Sequence, residues 1–331
     1  MRPLCADDEF PHPPTGSSVA PWLDTWWFVC RDNDSDVIVE VHMTLSPTHG
    51  PGGRSAVLIR QGRREFTETY EGPAIITHGS HGTDRVTLTV IEPEWTDAKR
   101  LRIQGSVDAA HFDLRLAGRF DAADAARLAP GFLPSDASSG GEMRNAQQGM
   151  MFDGTVTIAD ETIAVSGSAM RDRSWGWRES NELLRQGWVA MLGHTADAVY
   201  SVVGFYPGDA RDGRGGRYTA WFSTGDGVTV ATAASLVYDS AGVPTRLRLS
   251  TEEGPVIDLT RAEHVGGTYL SFHDSDSAEN ALVIAMMNHH VLMADSAGNL
   301  GWGYANLGNP LMTHPFDGMT FFPSPDRKVR Q

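Results

Sequence analysis

The chain reads as strand after strand, with very little that reads as helix. In residues 36–44, Val37, Val39, Val41 and Met43 alternate with Ile38, Glu40, His42 and Thr44. Successive side chains of a strand point to opposite faces, so a period of two marks a segment with one buried face. The same texture returns at 55–60, 64–70, 85–91, 101–105 and 111–120, with Gly/Pro turns between the runs. It continues at 149–158 and 162–170, and again at 187–192, 198–206, 217–223, 228–233, 235–238, 245–250, 256–261, 268–272, 281–293 and 300–304. Residues 239–242 and 295–299 carry turn chemistry. Only 121–128 (DAADAARL) suggests a helical turn. The whole amounts to about eighteen to twenty short strands. Closing antiparallel strands removes exposed edges, so barrels or sandwiches are the economical solutions. No crisp short repeat supports a propeller.

A chain of 331 residues has room for two such domains. Its hydrophobic content of 40% excludes wholesale disorder. A net charge of −15 with no basic stripe argues against nucleic acid as a partner. No apolar run of about 18 residues reads as a membrane span. No apolar leader is apparent, and Cys5 and Cys30 make no disulfide framework, so a reduced, cytoplasmic protein is expected.

The midpoint holds an unusual stretch, Arg171-Asp172-Arg173-Ser174-Trp175-Gly176-Trp177-Arg178. An acid between two arginines is held ionised and directed, and indole faces stack on guanidinium. The stretch reads equally as a structural knot where two domains meet and as part of a ligand site. Elsewhere, Trp27 sits in an aromatic cluster with Trp22, Trp26 and Phe28. Glu40 and His42 face water in an ordinary sheet, or line the interior of a ligand-holding barrel. His78 and His81 lie in a Gly/Ser loop without partners at metal-ligand spacing. His289 and His290 are adjacent on a strand, so one points in and the other out.

Gly-x-Ser-x-Gly, His-Glu-x-x-His, Cys-x-x-Cys, the phosphate loop and the dinucleotide-binding glycines are all missing. No metal and no cofactor is expected. Aromatics, histidines and a few carboxylates on a β frame suit a hydrophobic ligand with one or two polar groups. They also suit acid–base chemistry on such a ligand.

The central stretch resembles the signature of the carotenoid 1,2-hydratase (hydroxyneurosporene synthase) and AttH-like superfamily, with Arg173 where that signature has His. The resemblance implies two lipocalin-like antiparallel β-barrels in tandem, covering 21–170 and 171–310. An extended arm at 1–20 and a tail at 311–331 flank them. It implies a cofactor-independent enzyme that hydrates, dehydrates, isomerises or cyclises a hydrophobic isoprenoid-, polyene- or polyketide-like molecule. A carrier that binds without chemistry is the alternative, and a homodimer is compatible with either. His passes protons near neutral pH and Arg does not, so proton work falls to Asp172, Tyr304 or His194, with Arg171 polarising an oxygen. Arg173, Trp175, Trp177, Trp188, Glu40, His42, Trp27 and His290 would contact the substrate.

Overall fold

A computed structural model describes residues 4–16, 21–32, 34–47, 52–92, 100–130, 132, 143–177, 186–207, 217–225, 227–273 and 282–308. The chain folds as two units, Met1–Glu179 and Ser180–Gln331.

The first unit begins with β1 (Trp22–Asp32), β2 (Val37–Ser46), β3 (Gly52–Gln61), β4 (Arg64–Pro73), β5 (Ile75–Thr77) and β6 (Ser80–Gly82). It continues with β7 (Val86–Glu92), β8 (Arg100–Val107), β9 (Ala110–Gly118), β10 (Ala123–Asp124), β11 (Arg144–Ile158) and β12 (Glu161–Trp177). All pair antiparallel in the order β4-β3-β2-β1-β12-β11-β9-β8-β7-β6-β5, with β10 beside β11. The last strand thus returns beside the first, and β3 and β4 approach β8, which curls the sheet into a nearly closed barrel. Val37, Val39, Val41, Met43 and Leu45 all enter its apolar core, as their alternation requires.

The second unit has β13 (Gln186–His194), β14 (Val199–Pro207), β15 (Arg217–Ser223), β16 (Thr229–Val230) and β17 (Ala233–Tyr238). β18 (Pro244–Thr251), β19 (Gly254–His273), β20 (Leu282–Ala294) and β21 (Leu300–Gly308) complete it. These form an antiparallel half-barrel in the order β16-β15-β14-β13-β21-β20-β19-β18-β17. Its core gathers Val189, Met191, Tyr200, Val202, Leu247 and Val291. The all-β, tandem-barrel expectation holds.

Several local expectations change. Of residues 121–128, only Ala125–Leu128 is helical, because Ala123–Asp124 pairs with β11 first. Through Trp177 the central stretch is the end of β12, and residue 170 falls inside that strand. Glu40 and His42 do not line the barrel interior, since the valines of β2 do. Nor is that opposite face simply open to water, since Glu40 is buried. His81 belongs to β6 and is also buried. The segment before β1 forms a short 3₁₀ turn, Ala6–Glu9, that buries Asp8 and Glu9 completely. Neither Cys5 nor Cys30 is in a disulfide. The tail at 311–331 lies outside the described residues.

Candidate functional site

Strand alternation sorts the central stretch into two faces. Arg171, Arg173, Trp175 and Trp177 point into the first barrel, opposite Phe28, Trp26, Asp24 and Trp22 of β1. Asp172 and Ser174 point away from that core.

The inward arginines are met by the chain's own N-terminal segment. Arg171 Nη2 lies 2.6 Å from both carboxylate oxygens of Glu9, and neither side chain is exposed. Arg173 donates from Nη2 to Asp24 Oδ1 at 2.5 Å and to the Phe10 carbonyl at 3.0 Å. Its Nε reaches the Asp8 carbonyl at 3.2 Å, and its Nη1 the Ser174 carbonyl at 2.9 Å. The guanidinium sits 4.0 Å from the Trp26 ring centre and 4.8 Å from that of Trp175, a cation held between two indole faces. Trp22 Nε1 donates to the second oxygen of Asp24 at 2.9 Å.

His12 joins the same group. Its Nδ1 is 3.1 Å from Asp24 Oδ1, its Nε2 is 3.1 Å from Asp8 Oδ1, and its ring stacks on Trp175 at 4.6 Å. Burial lowers the His12 pKa, but the hydrogen bonds to Asp24 and Asp8 outweigh it, and the net shift is upward. Burial works to raise the Asp24 pKa, yet Arg173 and the His12 hydrogen bond hold it below the usual carboxylate range. Beyond the ions, Trp177 Nε1 donates to the Thr15 carbonyl at 2.6 Å, and Leu4 packs on Trp22, Trp175 and Trp177. Residues 4–15 are therefore clamped along the inward face of β1 and β12.

On the other face of the first unit, Asp172 accepts from Asn145 Nδ2 at 2.9 Å and Gln147 Nε2 at 2.7 Å, both on β11. These amides direct its carboxylate; Arg171 and Arg173 point the other way. Its β1 neighbour Trp27 donates from Nε1 to Glu40 Oε1 at 3.1 Å and meets His42 edge to face at 5.3 Å.

The second unit carries a polar and aromatic group on the face opposite its apolar core. Trp188 and His194 of β13, Asn288 and His290 of β20, and Trp302, Tyr304 and Asn306 of β21 share this face by strand register. His290 and Tyr304 are direct cross-strand partners, both buried, with ring centres 5.2 Å apart. Trp302 lies nearly parallel to His290 at 6.2 Å and to His194 at 6.4 Å. Trp188 Nε1 donates to Asn306 Oδ1, and Asn306 Nδ2 donates to Asn288 Oδ1. An indole N–H can only donate, so this chain of bonds runs one way, from Trp188 to Asn288. Gly308 is part of the same device: a Cβ there would fall 2.0 Å from the Trp188 ring, so the indole can lie across β21 only over a glycine.

The twelve residues expected from sequence therefore fall into three groups. Arg171, Arg173, Trp175 and Trp177 lie inside the first barrel. Asp172, Trp27, Glu40 and His42 lie on that unit's opposite face. Trp188, His194, His290 and Tyr304 lie together on the second unit. Asp8, Glu9, His12, Asp24, Asn288 and Asn306 fall outside the residues expected from sequence. Asp24 leaves a trace, as an acid in phase with Trp22 and Trp26, whereas Glu9 sits in a stretch whose composition reads as solvated. Among the described residues, no three His, Cys, Asp or Glu side chains gather as a metal site. No described helix is long and apolar enough to cross a membrane.

Residues 6–309 match the family model described as domain of unknown function DUF7064. The chain belongs to this family. A search of curated proteins found no match. Among solved structures, the DUF7064 chain resembles an AttH-like protein from Nitrosomonas europaea, with TM-score 0.57 and 14% identity over 86% of this chain and 92% of that one. It also resembles CghA, solved with Sch210972, with TM-score 0.53 and 14% identity over 89% and 94% of the two chains. Kievitone hydratase from Nectria haematococca aligns with TM-score 0.49 and 13% identity over 89% and 95%. The AttH-like architecture expected from the central stretch is thus the fold of this DUF7064 protein.

Proposed function

We propose that this DUF7064 protein is a cofactor-independent enzyme acting on a hydrophobic small molecule by hydration or dehydration, isomerisation or cyclisation. His290 and Tyr304 are its proton-handling pair. The observation that carries the reading is their placement: buried cross-strand partners 5.2 Å apart, in a face built from indole rings and a one-way amide chain. A phenol and an imidazole can hand a proton to one another or to a bound molecule, and aromatic faces shield developing positive charge. The first barrel is the poorer candidate for this chemistry on physical grounds, because Arg173 is engaged at every nitrogen by the chain itself. The fold supports a small-molecule role by analogy, since CghA was solved with Sch210972.

The test is incubation of the protein with a panel of polyene, isoprenoid and polyketide-like compounds, followed by mass spectrometry. The reading expects a change of one water, or an isomer at unchanged mass, that is lost in Tyr304→Phe and His290→Gln while both variants keep their fold. A ligand retained unchanged by the wild type would make the protein a carrier instead.

A further inference from the structure

The ions buried where the N-terminal segment meets β1 and β12 do not balance by themselves. Asp8, Glu9 and Asp24 bring three carboxylates, and Arg171 and Arg173 bring two guanidinium groups, all without exposure. Uncompensated charge is costly at such depth. Burial keeps nearby His81 neutral, which leaves His12 as the group able to supply the missing positive charge. A protonated His12 donates from Nδ1 to Asp24 and from Nε2 to Asp8, and brings the group to neutrality. Two of the three acids, and the histidine itself, lie on the N-terminal segment; Asp24, Arg171 and Arg173 lie on the barrel wall.

From this arrangement we infer that the inward face of β1 and β12 is a receptor for an acidic peptide segment. Residues 4–15 occupy it in cis, and the proton on His12 sets how firmly they are held. Charged and aromatic groups face His12 from three elements, and Arg144 of β11, paired with Asp124, lies 5.5 Å from the Trp175 ring on which His12 stacks. Asp8 comes from the 3₁₀ turn, Asp24 from β1, and Arg173 and the Trp175 face from β12. Of these, Arg173 alone opposes its charge: its Nη2, which donates to Asp24 and the Phe10 carbonyl, also lies 3.1 Å from His12 Nδ1. Losing the Nδ1 proton leaves a lone pair that can accept from Arg173 Nη2, but it ends the charge-assisted bond to Asp24 and removes the positive charge that balances the three acids, so docking weakens as pH rises. The sign follows from linkage: a group whose pKa is raised by docking stabilises the docked state below its free value and loses that contribution as pH climbs through the docked value.

Beneath the docked segment lie Trp26 and His81, with ring centres 4.4 Å apart, and Phe10 of the segment covers His81 at 6.3 Å. Release of the segment would therefore bare an aromatic, cation-lined interior that the closed form hides.

The experiment is hydrogen exchange of the full chain by mass spectrometry, comparing peptides from residues 4–16 with core peptides of β2 and β11. After correction for intrinsic rates, protection of residues 4–16 should fall by about tenfold between about pH 6 and about pH 9, as expected for the loss of about one charge-assisted hydrogen bond, while the core stays protected. His12→Gln should show the weaker protection at both values and no pH slope. Protection of residues 4–16 that is strong and flat across that range in the wild type would overturn the inference. So would a His12→Gln variant that keeps the wild-type slope.

Discussion

Arg173 Nη2 lies 2.5 Å from Asp24 Oδ1, with both side chains wholly buried and the guanidinium between the faces of Trp26 and Trp175. A cation so enclosed depends on its counter-ion. Replacing one member of a buried pair leaves the other uncompensated, which destabilises by about 3–5 kcal/mol. Asp24→Asn should do so here, read as a lowered urea midpoint. Arg173→His should weaken the same contacts, because imidazole cannot span Asp24, the Phe10 carbonyl and the Asp8 carbonyl together. A midpoint unchanged in both variants would show that the cluster is not structural.

His81 predicts an acid sensitivity of the opposite sign to His12. Burial, aided by the nearby Arg173 charge, pulls its pKa from 6.5 down to about 3. Unfolding frees the imidazole to take up a proton, so the stability it contributes is complete above its unfolded pKa. That contribution is lost as pH falls towards the folded value. Between about pH 6.5 and about pH 5 this amounts to about 2 kcal/mol. Unfolding free energies of the wild type and of His81→Phe, taken from urea titrations across that interval, should diverge by that amount, the variant losing less. Parallel curves would mean that His81 is solvated in the folded protein.

Asp172 offers a test that separates structure from chemistry. Its carboxylate receives the side-chain amides of Asn145 and Gln147. Asp172→Asn replaces one acceptor with a donor facing one of them, which should destabilise by about 1–3 kcal/mol. Turnover by the His290–Tyr304 pair should persist in the folded variant. Undiminished stability with abolished turnover would instead assign the reacting carboxyl to Asp172.

Much of this architecture is legible in the residues alone. The alternation of Val37, Val39, Val41 and Met43 names the core face of β2, because a strand has only two faces and apolar atoms leave water together. The same rule separates His289 from His290 and brings His290 to Tyr304's side of the sheet. The turns at 239–242 and 295–299 form as their Asp and Gly residues dictate, with Gly242 and Gly298 donating back to Asp239 and Asp295. Strand periodicity also implies that Arg171 and Arg173 share a face that Asp172 does not, once the stretch is read as a strand.

What the linear chain could not declare is which distant segments meet. Glu9 and Arg171 are 162 positions apart, and nothing in a Pro- and Asp-rich segment marks it as the counter-charge for a barrel interior. Local periodicity follows from the geometry of one strand, so the amino-acid sequence determines it alone. The pairing of Asp8, Glu9, His12 and Asp24 with Arg171 and Arg173 depends on barrel closure. Closure brings β12 back beside β1 and removes water from between the charges, and only the tertiary structure decides that.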